Sequence, residues 1–229
     1  MLRNNLYFSS SEIKKILKIS DCKLMHLRES GELNFHKKGR AFKYELPSHI
    51  SLLQHPLGEQ LLNWHHESHS SDIPNIPRAI ETKRFLEYLI AEILIPVERQ
   101  FGNIKITYGF TSKELARYIA KFSPQGTAPK LDQHAGCEIN SNENTVSKRS
   151  GCACDFIVSN YSMIEVTRYI VKTLNFDRLY FYGEQRPIHV SVNDAPVKHL
   201  QVMGESKLGR RHPSKKAFGE AAIKLAEEL

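Results

Sequence analysis

The chain has 229 residues, 41% of them hydrophobic and 25% charged, the balance of an ordinary soluble globular protein with a core in one large or two modest domains. No apolar run approaches the roughly 18–20 residues of a membrane span. The opening MLRNNLYFSSSEIKK has no apolar core of signal-peptide length, and four cysteines are too few for a disulfide scaffold, so a reducing cytoplasm is the expected location. A net charge of +7 favours an anionic partner without identifying it.

The first sixty residues read as a compact unit. Ser9 and Glu12 have capping-box spacing, and Ile13, Ile16 and Leu17 then recur at helical period. KIS is a short turn in which Ser20 caps a second helix carrying Leu24, Met25 and Leu27, and Gly31 ends that helix as a left-handed C-cap does. ELNFHKKGRAFKYEL then gives two short strands around a basic KKGR tip. Helix, turn, helix and basic hairpin resemble the excisionase and MerR-type winged helix-turn-helix family over about fifty residues. The resemblance implies double-stranded DNA as partner, with Lys23, His26 and Arg28 facing the groove and Lys37, Lys38 and Arg40 on phosphates. The competing reading is a protein-binding module with solvated charges.

LLQHPLGEQLLNWHHESHSSDIPNIPRAI changes character, from a short apolar helix (Leu57 to Trp64) to Ser, Asp and Pro, which is linker composition. His65 and His69 stand four apart, but no carboxylate or cysteine follows at ligand spacing, so a solvated connector is expected there. The expected division is a module over 1–68, a linker over 69–77, an α+β domain over 78–204, and a basic tail with a terminal helix over 205–229.

The second domain opens with an amphipathic helix, AIETKRFLEYLIAEILIPVERQFG, ended by Pro96. The strand IKITYGF and the helix TSKELARYIAKF follow, the latter capped by Thr111 or Ser112. Beyond a polar loop come the strand GCACDFIV, the helix SMIEVTRYIVKTL, and the strands FDRLYFYG and PIHVSV. Helices before and between strands of a small antiparallel sheet make this an α+β domain.

IKITYGFTSKEL, SGCACDF and RPIHVSV, in that order, resemble the zinc D-alanyl-D-alanine carboxypeptidases and the Hedgehog-like domains that share their fold, over about residues 78 to 195. The resemblance implies one zinc bound by a histidine, an aspartate and a late histidine, with a fourth position for an acidified water. Gly151, Ala153, Asp155 and His189 match the motif. Two positions depart from it. Lys148 stands seven residues before Asp155, where the family has its first histidine, and a protonated lysine is a poor ligand. The first ligand is therefore taken as His134, displaced by an inserted loop, EINSNENTVSKRS, whose Asn-rich content suits a hairpin or exposed loop. Thr111 stands where the family has the arginine that holds a substrate carboxylate, which argues against peptidoglycan as substrate.

Along a strand, Cys152 and Cys154 point one way while Ala153 and Asp155 point the other. Two zinc sites therefore compete: a structural His134, Cys137, Cys152, Cys154 set, and the His134, Asp155, His189 set that the resemblance favours. A chain with no metal is the third possibility. Glu184, five residues before His189, and Glu138, four after His134, are candidates for a general base. Five basic residues between Lys207 and Lys216 carry no acid among them and suit phosphate contact or a solvated face.

The function these readings point to is a DNA-associated cytoplasmic protein with a zinc-binding, carboxypeptidase-like hydrolase domain. One alternative is a DNA-binding regulator or recombination accessory whose second domain is catalytically silent. The other is a phage-type cell-wall endopeptidase. The excisionase-like module suggests a phage or mobile-element setting by analogy.

Overall fold

The computed structural model describes residues 6–123, 133–140, 142–206, 209 and 211–229. Lys207 and Arg210 of the basic run lie outside the described residues. The N-terminal module comprises β1 (Tyr7–Ser9), α1 (Ser10–Leu17), α2 (Asp21–Glu29), β2 (Phe35–Lys38) and β3 (Ala41–Glu45), with its three strands in the order β1-β3-β2. Its helix ends are set by local chemistry. Ser9 and Glu12 form the reciprocal capping box of α1, Ser20 Oγ accepts from Lys23 N, and Gly31 takes the left-handed φ of 75° just after α2. Leu24 is buried and Leu27 half-buried, whereas Met25 is exposed.

After α3 (Pro56–Asn63) and α4 (His65–His69), one long helix runs as α5 (Ile80–Leu89), a π-helical turn (Ile90–Leu94) and α6 (Ile95–Phe101). Pro96 therefore does not end it. Ile95 N donates five residues back, to Ile90 O, so the ladder is already widened where the proline removes its own donor.

The remaining strands are β4 (Ile104–Tyr108), β5 (Cys152–Val158), β6 (Arg178–Phe181), β7 (Ile188–Val192), β8 (His199–Glu205) and β9 (Arg211–Phe218). They form a sheet in the order β4-β5-β7-β6-β8-β9. The helices α7 (Lys113–Phe122), α8 (Met163–Thr173) and α9 (Glu220–Glu227) complete the fold. Two expectations need correction. The sheet is mixed rather than antiparallel, because β6 and β8 pair in parallel. The segment expected as a tail supplies β9, which pairs with β8, and α9, which packs on both. One face of the sheet presents Cys152, Cys154, Phe156, Leu179, Ile188, Val190, Val192 and Leu200 to the helices, all at 0–1% exposure. The other face carries the polar side chains of the site.

The stretch 69–77 is packed rather than free. Ser71, Asn75 and Pro77 are buried, and Asn75 Nδ2 donates to the carbonyls of Leu62 and Phe110. The long helix joins the two halves directly: Arg99 reaches Glu12 and the Tyr7 carbonyl, while Glu87 accepts from Ser51 Oγ and Leu52 N. One apolar cluster runs from Phe8 and Ile13 through Leu57 and Leu61 to Leu200 and Ala226. Cooperative unfolding follows from a continuous core. Trp64, the single tryptophan, sits at the junction, so its fluorescence and far-UV circular dichroism should report one coincident thermal transition. Leu61→Ala should lower stability by about 2–5 kcal/mol in that same transition. Two resolved transitions would contradict the shared core.

Candidate metal centre

Asp155 and His189 are direct partners across the β5–β7 pair, on the face opposite the cysteines. His189 Nδ1 lies 2.8 Å from Asp155 Oδ1. His134 enters from a 3-10 turn, Gln133–Ala135, and places Nε2 3.3 Å from the same oxygen. One ligand atom from each of the three residues lies within 4.8 Å of the others, the only such group of three or more potential ligands among the described residues. His134 and His189 are buried and Asp155 is half-buried. The structure thus brings together His134, Asp155 and His189. Lys148 is exposed, and an isolated antiparallel bridge joins Ile139 to Thr145 in the segment after His134.

Protonation follows from the partners. His134 Nδ1 lies 3.2 Å from the Gly109 carbonyl, which can only accept, so Nδ1 carries the hydrogen. His134 Nε2 then points at the Asp155 carboxylate as a lone pair, unless the ring is an imidazolium. Burial pushes the Asp155 carboxyl up, but the positive charge of His134 when its ring is an imidazolium, with the hydrogen bonds that His134 and His189 then donate, outweighs it and holds it well below the usual carboxylate range. An ionised carboxylate facing an imidazole lone pair is repulsive; a second proton or a cation between them removes the repulsion. A histidine whose far nitrogen donates to a backbone carbonyl is also the usual arrangement of a metal-bound imidazole.

The supports of His134 come from both halves of the chain. Gly109 must be glycine, because a Cβ there would collide with the Leu61 carbonyl and the Trp64 ring. Phe110 N donates to Leu61 O, and Trp64 Nε1 donates to Phe110 O at 2.8 Å. Asn75 Oδ1 accepts from Ser112 N, Ser112 Oγ caps α7, and Thr111 N donates to the His134 carbonyl at 3.0 Å. Rings complete the walls: Tyr108 meets His134 edge-on with centroids 4.7 Å apart, and Tyr180 stacks on His189 at 4.9 Å and 16°. Gly151, at φ 107°, lets β5 start against the Val192 carbonyl.

The other candidates fall elsewhere. Burial pushes the Cys152 and Cys154 thiols well up, so they stay protonated core groups. They do not gather with His134 and Cys137 as a ligand set. Glu138 Oε1 accepts from Arg78 N and Ala79 N, just before the long helix begins. Glu184 is exposed in the turn between β6 and β7. Thr111 is buried with Oγ1 donating to Gly109 O. His65 Nε2 lies 3.0 Å from Ile73 O, and His65 and His69 belong to no metal group.

In the N-terminal module, Lys23 and His26 are exposed on α2, and Lys38 and Arg40 are exposed at the tip of the β2–β3 hairpin. Arg28 lies 4.2 Å over the Phe42 ring, with Lys37 Nζ 5.2 Å from the same ring. Arg28 is therefore half-buried against the β2–β3 hairpin. Asn75, Tyr108 and Tyr180 escape sequence reasoning, since nothing local marks them; the glycine of TYGF is the one visible signal of the His134 support.

No protein-family model, curated protein or solved structure matches this chain.

Asn75 donates to two carbonyls and accepts from one amide, so Asn75→Asp would turn its donating edge into an acceptor facing two acceptors. Thermal denaturation should show a loss of about 1–3 kcal/mol per broken buried hydrogen bond. An unchanged melting temperature would contradict this support of the site.

Proposed function

We propose that this chain is a DNA-associated protein whose second half holds zinc in a carboxypeptidase-like hydrolase site. The observation that carries the reading is the His134 ring, fixed by the Gly109 carbonyl so that Nε2 and the Asp155 carboxylate converge with His189. Two imidazoles and one carboxylate suit zinc, and three protein ligands are the set of a catalytic rather than a closed structural site. Zinc held by His134, Asp155 and His189 would supply Lewis acidity, lowering the pKa of a water and polarising a carbonyl or phosphoryl oxygen. The chain's own residues position it: Gly109 O sets the His134 tautomer, Tyr180 and Tyr108 fix the ring planes, and the β5–β7 pairing holds Asp155 against His189.

Zinc analysis of the purified full chain should find about one ion per chain. Alanine at His134, Asp155 or His189 should abolish it, and Cys152→Ala with Cys154→Ala should retain it. Zinc lost with the cysteines but kept without His189 would sink the reading.

The inward-turned Thr111 supplies no planar cation for a C-terminal carboxylate. Little or no D-alanine should therefore be released from D-alanyl-D-alanine peptides, and efficient metal-dependent release would restore the cell-wall reading. One observation favours a silent scaffold instead: Glu138 Oε1 is taken by the Arg78 and Ala79 amides, and Glu184 lies in an exposed turn. Zinc binding without turnover of any ester, amide or phosphoester would select it.

The DNA reading is supported by the exposed Lys23, His26, Lys38 and Arg40 around a helix-turn-helix and wing. Binding of the full chain to duplex DNA should weaken steeply with salt. Replacing Lys37, Lys38 and Arg40 by alanine should flatten the slope by about three. A triple variant that binds like wild type would make the module a protein-interaction surface.

A further inference from the structure

Two neighbouring rows of side chains cross the polar face of the sheet. The first is Asp155, His189, Tyr180, Gln201 and Lys216, successive partners over β5, β7, β6, β8 and β9. The second, two residues along each strand and so about 7 Å away, is Ala153, Ser191, Arg178, His199 and Phe218. Ser191 is 0% exposed and His199 9%, yet Ser191 Oγ and His199 Nε2 have no hydrogen-bond partner, and neither does the buried Nε of Arg178 between them. Three of the six unpartnered buried side-chain polar atoms among the described residues thus fall on three adjacent residues.

Native interiors rarely leave such atoms unpaired, because each costs its full desolvation. Here the three unpartnered residues offer one guanidinium, one imidazole and one hydroxyl. Among the described residues no ion pair engages Arg178: Asp177, the residue before it, has both carboxylate oxygens on Arg149. Lys216, on the adjoining row, adds a second positive charge, and burial together with Arg178 and Lys216 holds the His199 ring below its usual pKa. Gln201 is not available, since its Nε2 donates to the carbonyls of Val202 and Lys215.

We propose that Ser191, Arg178 and His199 form an oxyanion-binding subsite, one pleat from the metal group, that takes a carboxylate or phosphate of the substrate. The proposal rests on the zinc reading only for what lies beside the subsite. A donor set of guanidinium, imidazole and hydroxyl fits an oxyanion in the plane of the guanidinium, and the Tyr180 ring, stacked on His189 and edge-on to His199 at 6.1 Å, spans the gap between the two sites. The anion anchor that Thr111 lacks is thus supplied from β6.

The test uses full-length protein with labelled histidine rings, titrated with inorganic phosphate and, separately, with acetate, while the His199 resonances are followed by NMR. Wild type should give a saturable shift with at least one anion. Arg178→Met should weaken it by about tenfold or more, the loss of one charge-assisted contact, and Ser191→Ala, a smaller change to the fold, should weaken it less. Asp155→Asn, which removes the metal group, should leave the shift in place, so failure of the zinc reading and failure of this one are separable. Tighter saturation by phosphate supports a phosphorylated substrate, and tighter saturation by acetate a carboxylate. The proposal is overturned by the absence of a saturable shift, by equal affinity in Arg178→Met, or by loss of the shift in Asp155→Asn.

Discussion

One carboxylate oxygen organises the polar face of this protein. Asp155 Oδ1 receives His189 Nδ1 at 2.8 Å and faces His134 Nε2 at 3.3 Å. With the His134 Nδ1 hydrogen given to the Gly109 carbonyl, its Nε2 is tolerable against that oxygen only with an extra proton or a cation between them. Each participant is held from outside, by the β5–β7 register in two cases and by the Gly109 carbonyl in the third. The cost of placing a carboxylate in a largely buried site is met by those partners, so the site is a fixed arrangement rather than a surface accident.

That arrangement explains why the two halves of the chain cannot be treated as beads on a string. Gly109 and Phe110 are pinned by Leu61, Trp64 and Asn75, all N-terminal to the long helix. The segment 69–77 has the polar composition of a linker, yet Ser71 and Asn75 use their side chains against backbone, with Asn75 alone engaging Leu62, Phe110 and Ser112. The N-terminal module is joined to the His134, Asp155, His189 group through this network and the shared core.

Local chemistry was legible in the sequence where a short-range rule decides the outcome. Ser9 with Glu12, Ser20, Gly31 and Ser112 all cap where their spacing says they should. The alternation through Cys152, Ala153, Cys154 and Asp155 assigned the cysteines and the aspartate to opposite faces, as the register shows. Long-range pairing was not legible. Arg211–Phe218 is exposed along nearly its whole length, so no period-two pattern marks it as the strand that closes the sheet. Pro96 misled because a π-turn directly before it, closed by Ile95 N on Ile90 O, already widens the ladder. Tyr180 and Arg178 acquire meaning only from neighbours on β7 and β8 that the chain reaches later.

The central claim is that His134, Asp155 and His189 are zinc ligands while the cysteines are core. X-ray absorption at the zinc edge of the purified protein tests this directly, because sulfur and nitrogen or oxygen shells differ in distance. The account predicts a first shell of nitrogen and oxygen at about 2.0–2.2 Å with imidazole outer-shell scattering and no sulfur. A sulfur shell at about 2.3 Å would contradict it and move the metal to the opposite face of β5.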